Sequence, residues 1–254
     1  MLFEKSHFPQ NSSTESKSKS PISLFIDFDG TICTQDLGDS VFENFGTIQP
    51  YNKQFKNGEL TIYQYWETVC SKLKLGVTLK DIADFAVEQE IDSYFKRFVE
   101  YVRAEGIEPV IVSDGFGAYI RPFLRKYGLD DITLYCNELI EDKDIIRPSF
   151  PYADESCQCP SAKCKKAQVA LGTPEDGIAI YIGDGLSDFC PAKHSDYIFA
   201  KKSLAKYCNA NSLPHYTYRT FFDVERQLKQ LLSSGKLKQR HRPTILRRDV
   251  FKHG

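Results

Sequence analysis

Acidic side chains follow three apolar segments of the sequence, and their types and spacing favour chemistry at phosphorus. Asp27-Phe28-Asp29-Gly30 follows the first segment, Ser113-Asp114-Gly115 the second, and Gly183-Asp184-Gly185 with Asp188 the third. Carboxylates brought together in such numbers repel each other unless a cation lies among them. An oxygen-rich set without histidine favours Mg²⁺ over zinc.

The two-residue spacing of Asp27 and Asp29 lets both carboxylates point toward one reacting group, because alternate side chains of an extended segment share a face. An ionised aspartate can attack phosphorus once a cation neutralises the phosphate. The second aspartate can protonate the leaving alcohol and later take a proton from water. Ser113 and a lysine would stabilise the transferring group.

Each of these short motifs is an ordinary turn when it occurs alone. Gly183-Asp184-Gly185-Leu186-Ser187-Asp188 is more specific, since it places two acids and two glycines within six residues after an apolar segment. Because all the motifs follow strand-like segments, their joint occurrence indicates one catalytic site.

The segments that must position these residues predict an α/β fold. Apolar runs at 22–26, 109–112 and 178–182 are typical of buried parallel strands, with weaker strands at 132–135 and 197–200. Helical spacing occupies the gaps, at 94–102 after a predicted N-cap at Asp92, at 120–127 and at 221–232. We therefore expect a three-layer, Rossmann-like parallel sheet whose ligands bind beyond the carboxyl ends of the strands.

Residues 36–92 interrupt this alternation with helical patterns alone, at about 41–45, 60–73 and 78–86. They predict a small helical cap inserted after the first strand, with the catalytic core formed by 22–35 and 93–235. Tyr65 and Trp66 in this insert could enclose an apolar substrate end or belong to the core. Residues 137–152 are expected to form a hairpin or flap.

Composition excludes several classes of protein. The chain has 254 residues, a formal net charge of −1 and no apolar run near the ~20 residues of a membrane span. The near-neutral charge argues against general nucleic-acid binding. The scattered cysteines favour reduced thiols in a soluble, cytoplasmic protein, and Cys157, Cys159 and Cys164 either bind a metal or stay reduced.

Both ends of the chain have the composition of tails. Residues 1–21 are rich in serine and lysine and are predicted to be flexible. Residues 236–254 contain seven lysines and arginines against one acid, Asp249, which indicates either a solvated basic tail or a contact with an anionic partner. The sequence makes no prediction of oligomeric state.

The motifs together resemble those of the haloacid dehalogenase superfamily of phosphatases. DFDGT at 27–31, SDG at 113–115, a lysine near 165 and GDGLSD at 183–188 occur in that family's order, and the resemblance covers residues 22 to about 232. The helical insert is similar to the cap of the phosphoserine-phosphatase-like branch. The resemblance implies that the cap closes over a small phosphorylated metabolite.

The resemblance also implies roles for individual residues. Asp27 would be the nucleophile and Asp29 the general acid and base. The implied substrate-binding residues are Asp36, Ser113, Asp114 and Gly115, together with one lysine. The implied Mg²⁺ site consists of Asp27, the main-chain carbonyl of Asp29, and Asp184, with Asp188 supporting it from behind.

The lysine is one of Lys163, Lys165 and Lys166, and the sequence resembles phosphatases of more than one substrate class. The segment from Cys157 to Lys165 is similar to methionine-salvage phosphatases, which act on a phosphorylated methylthio-hydroxyketopentene, and this favours Lys165. Residues 183–191 are also similar to phosphoethanolamine and phosphocholine phosphatases. A phosphoserine-type phosphatase, a phosphotransferase and a phosphate- or nucleic-acid-binding module that uses the basic tail are the remaining alternatives.

Overall fold

The computed structural model describes residues 20–143, 145–153, 162 and 164–250. Predictions for residues 1–19, Asp144, Cys157, Cys159 and Lys163 lie outside the described residues. All the other residues singled out above as site residues are described.

A seven-stranded sheet is the centre of the fold. Its strands, in chain order, are β1 (Ile22–Ile26), β2 (Pro109–Phe116), β3 (Thr133–Asp142), β4 (Ile145–Ser149), β5 (Ile178–Gly183), β6 (Tyr197–Ala200) and β7 (Tyr216–Thr217). The strand order is β4-β3-β2-β1-β5-β6-β7. Every neighbouring pair is parallel except β3 and β4, which form an antiparallel hairpin.

Helices connect and cover these strands. They are α1 (Leu37–Phe45), α2 (Tyr51–Lys56), α3 (Ile62–Cys70), α4 (Leu79–Val87), α5 (Phe95–Ala104), α6 (Gly117–Lys126), α7 (Lys165–Leu171), α8 (Phe189–Lys193), α9 (Lys202–Ala210), α10 (Phe221–Ser233) and α11 (His241–Val250), with a 3₁₀ turn at Leu186–Asp188. None of the helices that the structure describes has the length and apolar character needed to cross a membrane.

Successive side chains of the central strands pack into different layers. In β1, Leu24 and Ile26 belong to the main core, which also contains buried side chains of α5, α6 and α10. Phe25 between them belongs to a second cluster with Val169 of α7. Because a strand alternates its side chains and both faces of this one are covered, its sequence is continuously apolar. The predicted three-layer α/β fold is confirmed.

The order of the strands explains where a ligand site can form. β1 lies between β2 and β5, so the chain leaves β1 toward one side of the sheet and returns to its other side later. At such a reversal the loops after neighbouring parallel strands separate and leave a crevice at the carboxyl edge. Asp27 follows β1 at this position.

Residues 36–92 form α1 to α4, and α2 was not predicted. Side-chain caps fix the starts of three of these helices. The Asp36 carboxylate accepts from the amide of Asp39, while Thr61 and Thr78 begin capping boxes at α3 and α4. Helix α4 packs on α6 of the sheet-covering layer. The division of the chain into core and cap stays a prediction.

Two local expectations have different outcomes. The predicted hairpin is confirmed, since residues 138–142 of β3 pair with residues 145–149 of β4. Asp92, however, does not cap a helix that begins at Tyr94. Helix α5 begins at Phe95, and Asp92 instead accepts from the amides of Tyr94 (2.9 Å) and Phe221 (3.2 Å). The carboxylate therefore joins α5 to α10.

The basic C-terminal segment is not simply a solvated tail over the residues that the structure describes. Helix α11 packs against α7, and Arg247 is 4% exposed. Its guanidinium contacts Asp196 Oδ2 at 2.9 Å and donates to the carbonyl of His194 at 2.8 Å. The expectation of a solvated tail is wrong for this helix, because a charge run does not distinguish an exposed arginine from one with a buried carboxylate partner.

Candidate active site

The predicted site residues converge at the carboxyl edge of the sheet. A cavity of about 330 Å³ opens there, beside α1, α2 and α3. A larger cleft of about 710 Å³ near Ile22, Ile107 and Lys229 contains none of the predicted site residues. The acidic cavity is therefore the candidate active site. Its lining includes Asp27, Asp29, Gly30, Asp36, Asp39, Asn52, Phe55, Ile62, Tyr65, Trp66, Asp114, Gly115, Tyr119, Asp184 and Lys202.

Lys165 holds the carboxylate of Asp27. Its Nζ lies 2.6 Å from Asp27 Oδ1, 2.8 Å from Asp188 Oδ1 and 3.0 Å from Ser187 Oγ, and the residue is 2% exposed. Burial works to lower the pKa of Lys165, but the carboxylates of Asp188 and Asp27 raise it above its ordinary value. The ammonium therefore stays charged beside Asp27, which agrees with the choice of Lys165 among the three candidate lysines.

Asp188 is fully engaged in hydrogen bonds. Its Oδ1 accepts from Lys165 and from the hydroxyl of Tyr181 (2.6 Å), while its Oδ2 accepts from the amides of Asp184 and Gly185 (both 2.9 Å). The residue is completely buried. Such contacts fix the loop that carries Asp184, so the geometry favours a positioning role for Asp188.

Asp29 has a different environment from Asp27. Its Oδ1 accepts from the amides of Leu37 (3.0 Å) and Gly38 (3.2 Å) at the start of α1. Its Oδ2 lies 3.5 Å from both Ser113 Oγ and Tyr119 Oη. Burial, followed by the charges of Asp36 and Asp27, raises the pKa of Asp29 well above its ordinary value. A raised pKa favours the protonated carboxyl that a general acid needs.

The predicted substrate-binding residues lie around Asp29. Ser113 is buried and its Oγ accepts from the amide of Gly115 at 2.9 Å. Asp114 lines the cavity, and its carbonyl accepts from Asn137 Nδ2 at 2.7 Å. Asp36 also lines the cavity while it caps α1. All four predicted residues thus lie at or directly beside the cavity.

Tyr119 and Asp29 lie so close to the backbone at Gly115 that no side chain fits there. A Cβ at this position would overlap the hydroxyl of Tyr119 and lie 2.7 Å from Asp29 Oδ2. The absence of a side chain therefore allows β2 to pass directly under the Asp29 carboxyl group.

The carboxylates form a set that fits a hard divalent cation. One oxygen from each of Asp27, Asp184 and Asp188 lies within 4.8 Å of the others. Burial, Asp188 and Asp184 raise the pKa of Asp27 to about 8 against the lowering effect of Lys165. Lys165 therefore does not balance the charge of these acids, whereas a divalent cation bound by their oxygens would. Because Asp188 already accepts four hydrogen bonds, Asp27 and Asp184 are better placed than Asp188 to provide direct ligands.

Lys202 is the main residue of the site that was not predicted. Its Nζ lies 2.8 Å from Asp184 Oδ2 and 3.5 Å from the carbonyl of Gly30. The pair Lys201-Lys202 directly follows β6, and the rule that ligands bind beyond strand ends could have identified it. Tyr119, Asp39 and Asn52 were also missed, and nothing in their local sequence distinguishes them from ordinary helix residues.

Comparison with known proteins decides the family. The sequence model of the haloacid dehalogenase-like hydrolases matches residues 24–193, which include Asp27, Ser113, Lys165 and Asp184. The chain belongs to this family.

Relatives of this family member are named as phosphatases. A 2-hydroxy-3-keto-5-methylthiopentenyl-1-phosphate phosphatase of Brevibacillus brevis is 33% identical over 212 residues, which cover 82% of this chain and 95% of the relative. A protein with the same name from Geobacillus thermodenitrificans is 32% identical over 84% of this chain and 98% of the relative. The chain is an enzyme of the phosphoric monoester hydrolase class, so the non-enzymatic binding module is excluded.

Solved structures support the fold at greater evolutionary distance. A phosphoserine phosphatase with a phospho-aspartyl intermediate analogue has a TM-score of 0.60 at 18% identity, covering 84% of this chain and 99% of the other. A substrate-bound phosphoserine phosphatase has a TM-score of 0.62 at 17% identity, covering 82% and 99%. The fold of this haloacid dehalogenase-like hydrolase is therefore shared with phosphoserine phosphatases.

Proposed function

We propose that this chain is a Mg²⁺-dependent phosphatase that hydrolyses a small phosphorylated metabolite through an aspartyl-phosphate on Asp27. The observation that carries the proposal is the contrast between two neighbouring carboxyl groups. Burial raises the pKa of both, but the Lys165 ammonium lies 2.6 Å from Asp27 and offsets part of that rise, whereas Asp29 has no lysine contact among the described residues. One is suited to act as a nucleophile and the other as a proton donor.

In the first step, Asp27 Oδ2 attacks phosphorus, since Oδ1 accepts from Lys165. The bond between phosphorus and the leaving oxygen breaks, and the Asp29 proton passes to that oxygen. Lys165 and the Ser113 hydroxyl bind the non-bridging oxygens of the transferring group. This step leaves a phosphorylated Asp27, an ionised Asp29 and a free alcohol or enol.

In the second step, the ionised Asp29 takes a proton from water, and the water oxygen attacks phosphorus. The bond from Asp27 to phosphorus breaks, which releases inorganic phosphate and restores the Asp27 carboxylate. Asp29 is protonated again, so the site returns to its starting state.

Asp27, Asp184 and the main-chain carbonyl of Asp29 would hold Mg²⁺, which supplies positive charge against the phosphate oxygens. The support for this assignment is the acidic cluster and the raised pKa of Asp27. Asp188 keeps the loop of Asp184 in place through the amides of Asp184 and Gly185.

For the substrate, we propose the methionine-salvage enol phosphate that names the relatives. The lining of the cavity also includes Phe55, Ile62, Tyr65 and Trp66. An apolar wall with aromatic rings suits a methylthio group, since sulfur makes favourable contacts with ring edges. The relatives' names and this wall support the same choice.

An amino-alcohol phosphate is the second candidate, and a different observation favours it. Asp36 and Asp39 line the same cavity as the aromatic side chains. Two carboxylates with aromatic rings suit a cationic ammonium group. The same residues would serve phosphoethanolamine, phosphocholine or phosphoserine.

A substrate panel separates these candidates. We expect kcat/KM for the methylthio-ketopentenyl phosphate to exceed that for phosphoethanolamine, phosphocholine and phosphoserine. Asp39→Asn should leave turnover of the enol phosphate, which has no ammonium group, nearly unchanged. If the enzyme instead prefers an amino-alcohol phosphate, and Asp39→Asn removes that preference, the amino-alcohol phosphate replaces the enol phosphate as the proposed substrate.

Three measurements test the chemistry itself. Asp27→Asn should reduce turnover of an aryl phosphate by at least about a thousandfold while the circular dichroism spectrum stays that of the wild type. EDTA should stop turnover and Mg²⁺ restore it. Asp29→Asn should slow hydrolysis of an alkyl phosphate about 10²–10⁴-fold. For an aryl phosphate, whose good leaving group needs less protonation, the first step should slow less.

Each measurement can contradict the proposal. Wild-type turnover by Asp27→Asn would exclude Asp27 as the nucleophile. Turnover that persists in EDTA would exclude the proposed dependence on a metal. Product analysis with added alcohols distinguishes the phosphotransferase alternative, because transfer would form a new phosphate ester besides inorganic phosphate.

A further inference from the structure

Lys202 contacts the site at the carboxylate that we propose as a metal ligand. Its Nζ lies 2.8 Å from Asp184 Oδ2, and it lies 3.5 Å from the carbonyl of Gly30. The residue starts α9 directly after β6 and has a φ of 46°, in the left-handed region that non-glycine residues rarely occupy. The backbone thus has an unusual conformation at the point where this side chain leaves it.

The ammonium lies in a tight space beside the first acidic turn. A Cβ at Gly30 would lie 2.9 Å from Lys202 Nζ, so the lysine reaches the backbone that follows Asp29. A cation held by Asp184 would share that carboxylate with Lys202. Positive charges a few ångströms apart repel each other strongly even at a protein surface.

Lys202 differs from Lys165 in its freedom to move. Lys165 is enclosed, with 1% of its side chain exposed, and it has three partners within the site. The side chain of Lys202 is 56% exposed, and Asp184 is its one carboxylate partner among the described residues. A flexible four-carbon stem can therefore carry this ammonium out to solvent without breaking a buried network.

We propose that Lys202 is a built-in counter-cation for Asp184, which Mg²⁺ must displace when it binds. Lys202 neutralises the acid in the metal-free protein and lowers the affinity of the site for Mg²⁺. It thereby sets the Mg²⁺ concentration at which the site fills. This inference rests on the proposed function, because it requires Asp184 to be a metal ligand.

Calorimetric titration of MgCl₂ into the full-length, EDTA-stripped and dialysed protein tests the inference without an activity assay. Lys202→Gln should bind Mg²⁺ about tenfold more tightly than the wild type, since a charged hydrogen bond no longer has to be broken. Lys202→Arg keeps the charge and should bind within about twofold of the wild type. Lys206→Gln makes the same change of net charge at an exposed residue of α9 that has no ion pair with Asp184, and it should have no effect on Mg²⁺ affinity.

The outcomes separate this inference from the proposed function. If Lys202→Gln binds Mg²⁺ no more tightly than the wild type, Mg²⁺ does not have to displace Lys202. If Lys206→Gln increases the Mg²⁺ affinity as much as Lys202→Gln does, the effect is one of net charge and the proposal is wrong. If the wild type does not bind Mg²⁺, or Asp184→Asn binds it as tightly as the wild type, the metal site of the proposed function fails first. Circular dichroism of each variant confirms that the titrated protein is folded.

Discussion

Asp27 is subject to two opposing influences. It must be ionised to attack phosphorus, yet burial and the neighbouring carboxylates raise its pKa from 3.8 to about 8. Lys165 at 2.6 Å offsets only part of this effect. In the metal-free folded protein Asp27 keeps its proton to about pH 8, whereas the unfolded chain loses it near pH 3.8. Between these values the folded state binds more protons, so its free energy of unfolding falls as pH rises.

This linkage predicts how Mg²⁺ stabilisation depends on pH. Because the metal binds the ionised carboxylate and displaces the proton, the increase in Tm on adding Mg²⁺ should be larger at pH 8 than at pH 6. Thermal unfolding with and without saturating MgCl₂ at both pH values measures it. Asp27→Asn is the control and should show a smaller pH dependence. The same increase at both pH values in the wild type would contradict a proton on Asp27.

Gly115 offers a prediction from sterics. Gly115→Ala should lower kcat about tenfold or more and reduce stability by about 1–3 kcal/mol, because the new methyl group displaces Tyr119 and Asp29. Gly185→Ala is a matched control in the same cavity, since a Cβ there would approach Asp188 Oδ2 only to an ordinary contact distance of 3.8 Å. Adding Tyr119→Phe to Gly115→Ala should restore part of the lost activity. Undiminished kcat in Gly115→Ala would contradict the close approach.

Sequence reasoning identified the residues that end apolar strands and missed those whose roles depend on packing. Asp27, Ser113 and Asp184 follow runs that could only be buried strands. Tyr181 lies inside such a run and resembles a core aromatic residue, although its hydroxyl donates to Asp188. The contact of Lys202 with Asp184 depends on a positive φ after β6, which composition does not reveal.

At the scale of elements, the β3–β4 hairpin supports the helical insert. The ring of Tyr63 in α3 meets Phe150, just beyond β4, edge-on with centroids 5.1 Å apart. The amide of Leu79 at the start of α4 donates to Glu141 of β3 at 3.1 Å. Helix α3 also carries Tyr65 and Trp66 of the cavity wall, so the hairpin indirectly positions the wall.

Removing the contact between Tyr63 and Phe150 should make α3 less stable locally and leave the active-site carboxylates in place. Tyr63→Ala is expected to cost about 0.5–1.5 kcal/mol beyond the lost buried area. Amide hydrogen exchange over residues 62–70 should become faster, and KM should rise more than kcat falls. Tyr94→Ala removes a comparable ring contact, with Phe222, in another part of the fold. It should leave amide exchange over residues 62–70 and the kinetic constants unchanged. Unchanged exchange in α3 would show that the hairpin does not support it.

At the scale of the whole molecule, the C-terminal helix completes a buried network. Asp196 is fully buried and accepts from the amides of Ala179 (2.8 Å) and Arg240 (2.7 Å) besides its ion pair with Arg247. The network joins β5 to the segment before α11. A carboxylate in this position is costly unless its charge is balanced.

Arg247→Met should therefore lower the free energy of unfolding by about 3–5 kcal/mol, as measured by urea denaturation. Turnover of the remaining folded enzyme should be nearly unchanged, because α11 contributes nothing to the cavity lining. Arg248→Met breaks an exposed pair with Glu175 and should change stability by at most about 1 kcal/mol. Equal effects of the two substitutions would contradict the buried network.

The architecture was predictable because strand and helix periodicities alternate along most of the chain. The two-residue strand β7 and the six-residue helix α2 are too short for a periodic pattern to identify them. Helix α11 was missed for another reason. Its arginines resemble a solvated charge run until the carboxylate of Asp196 lies beside Arg247 in three dimensions.

The attachments of the helical insert bear on how this enzyme would admit its substrate. Tyr127 at the end of α6 donates to the carbonyl of Gln89 at 3.1 Å, and Lys126 Nζ donates to the carbonyl of Val87. With the hairpin on another side, the insert is fastened to the sheet domain at more than one place. A chamber fastened in this way selects molecules by fixed dimensions.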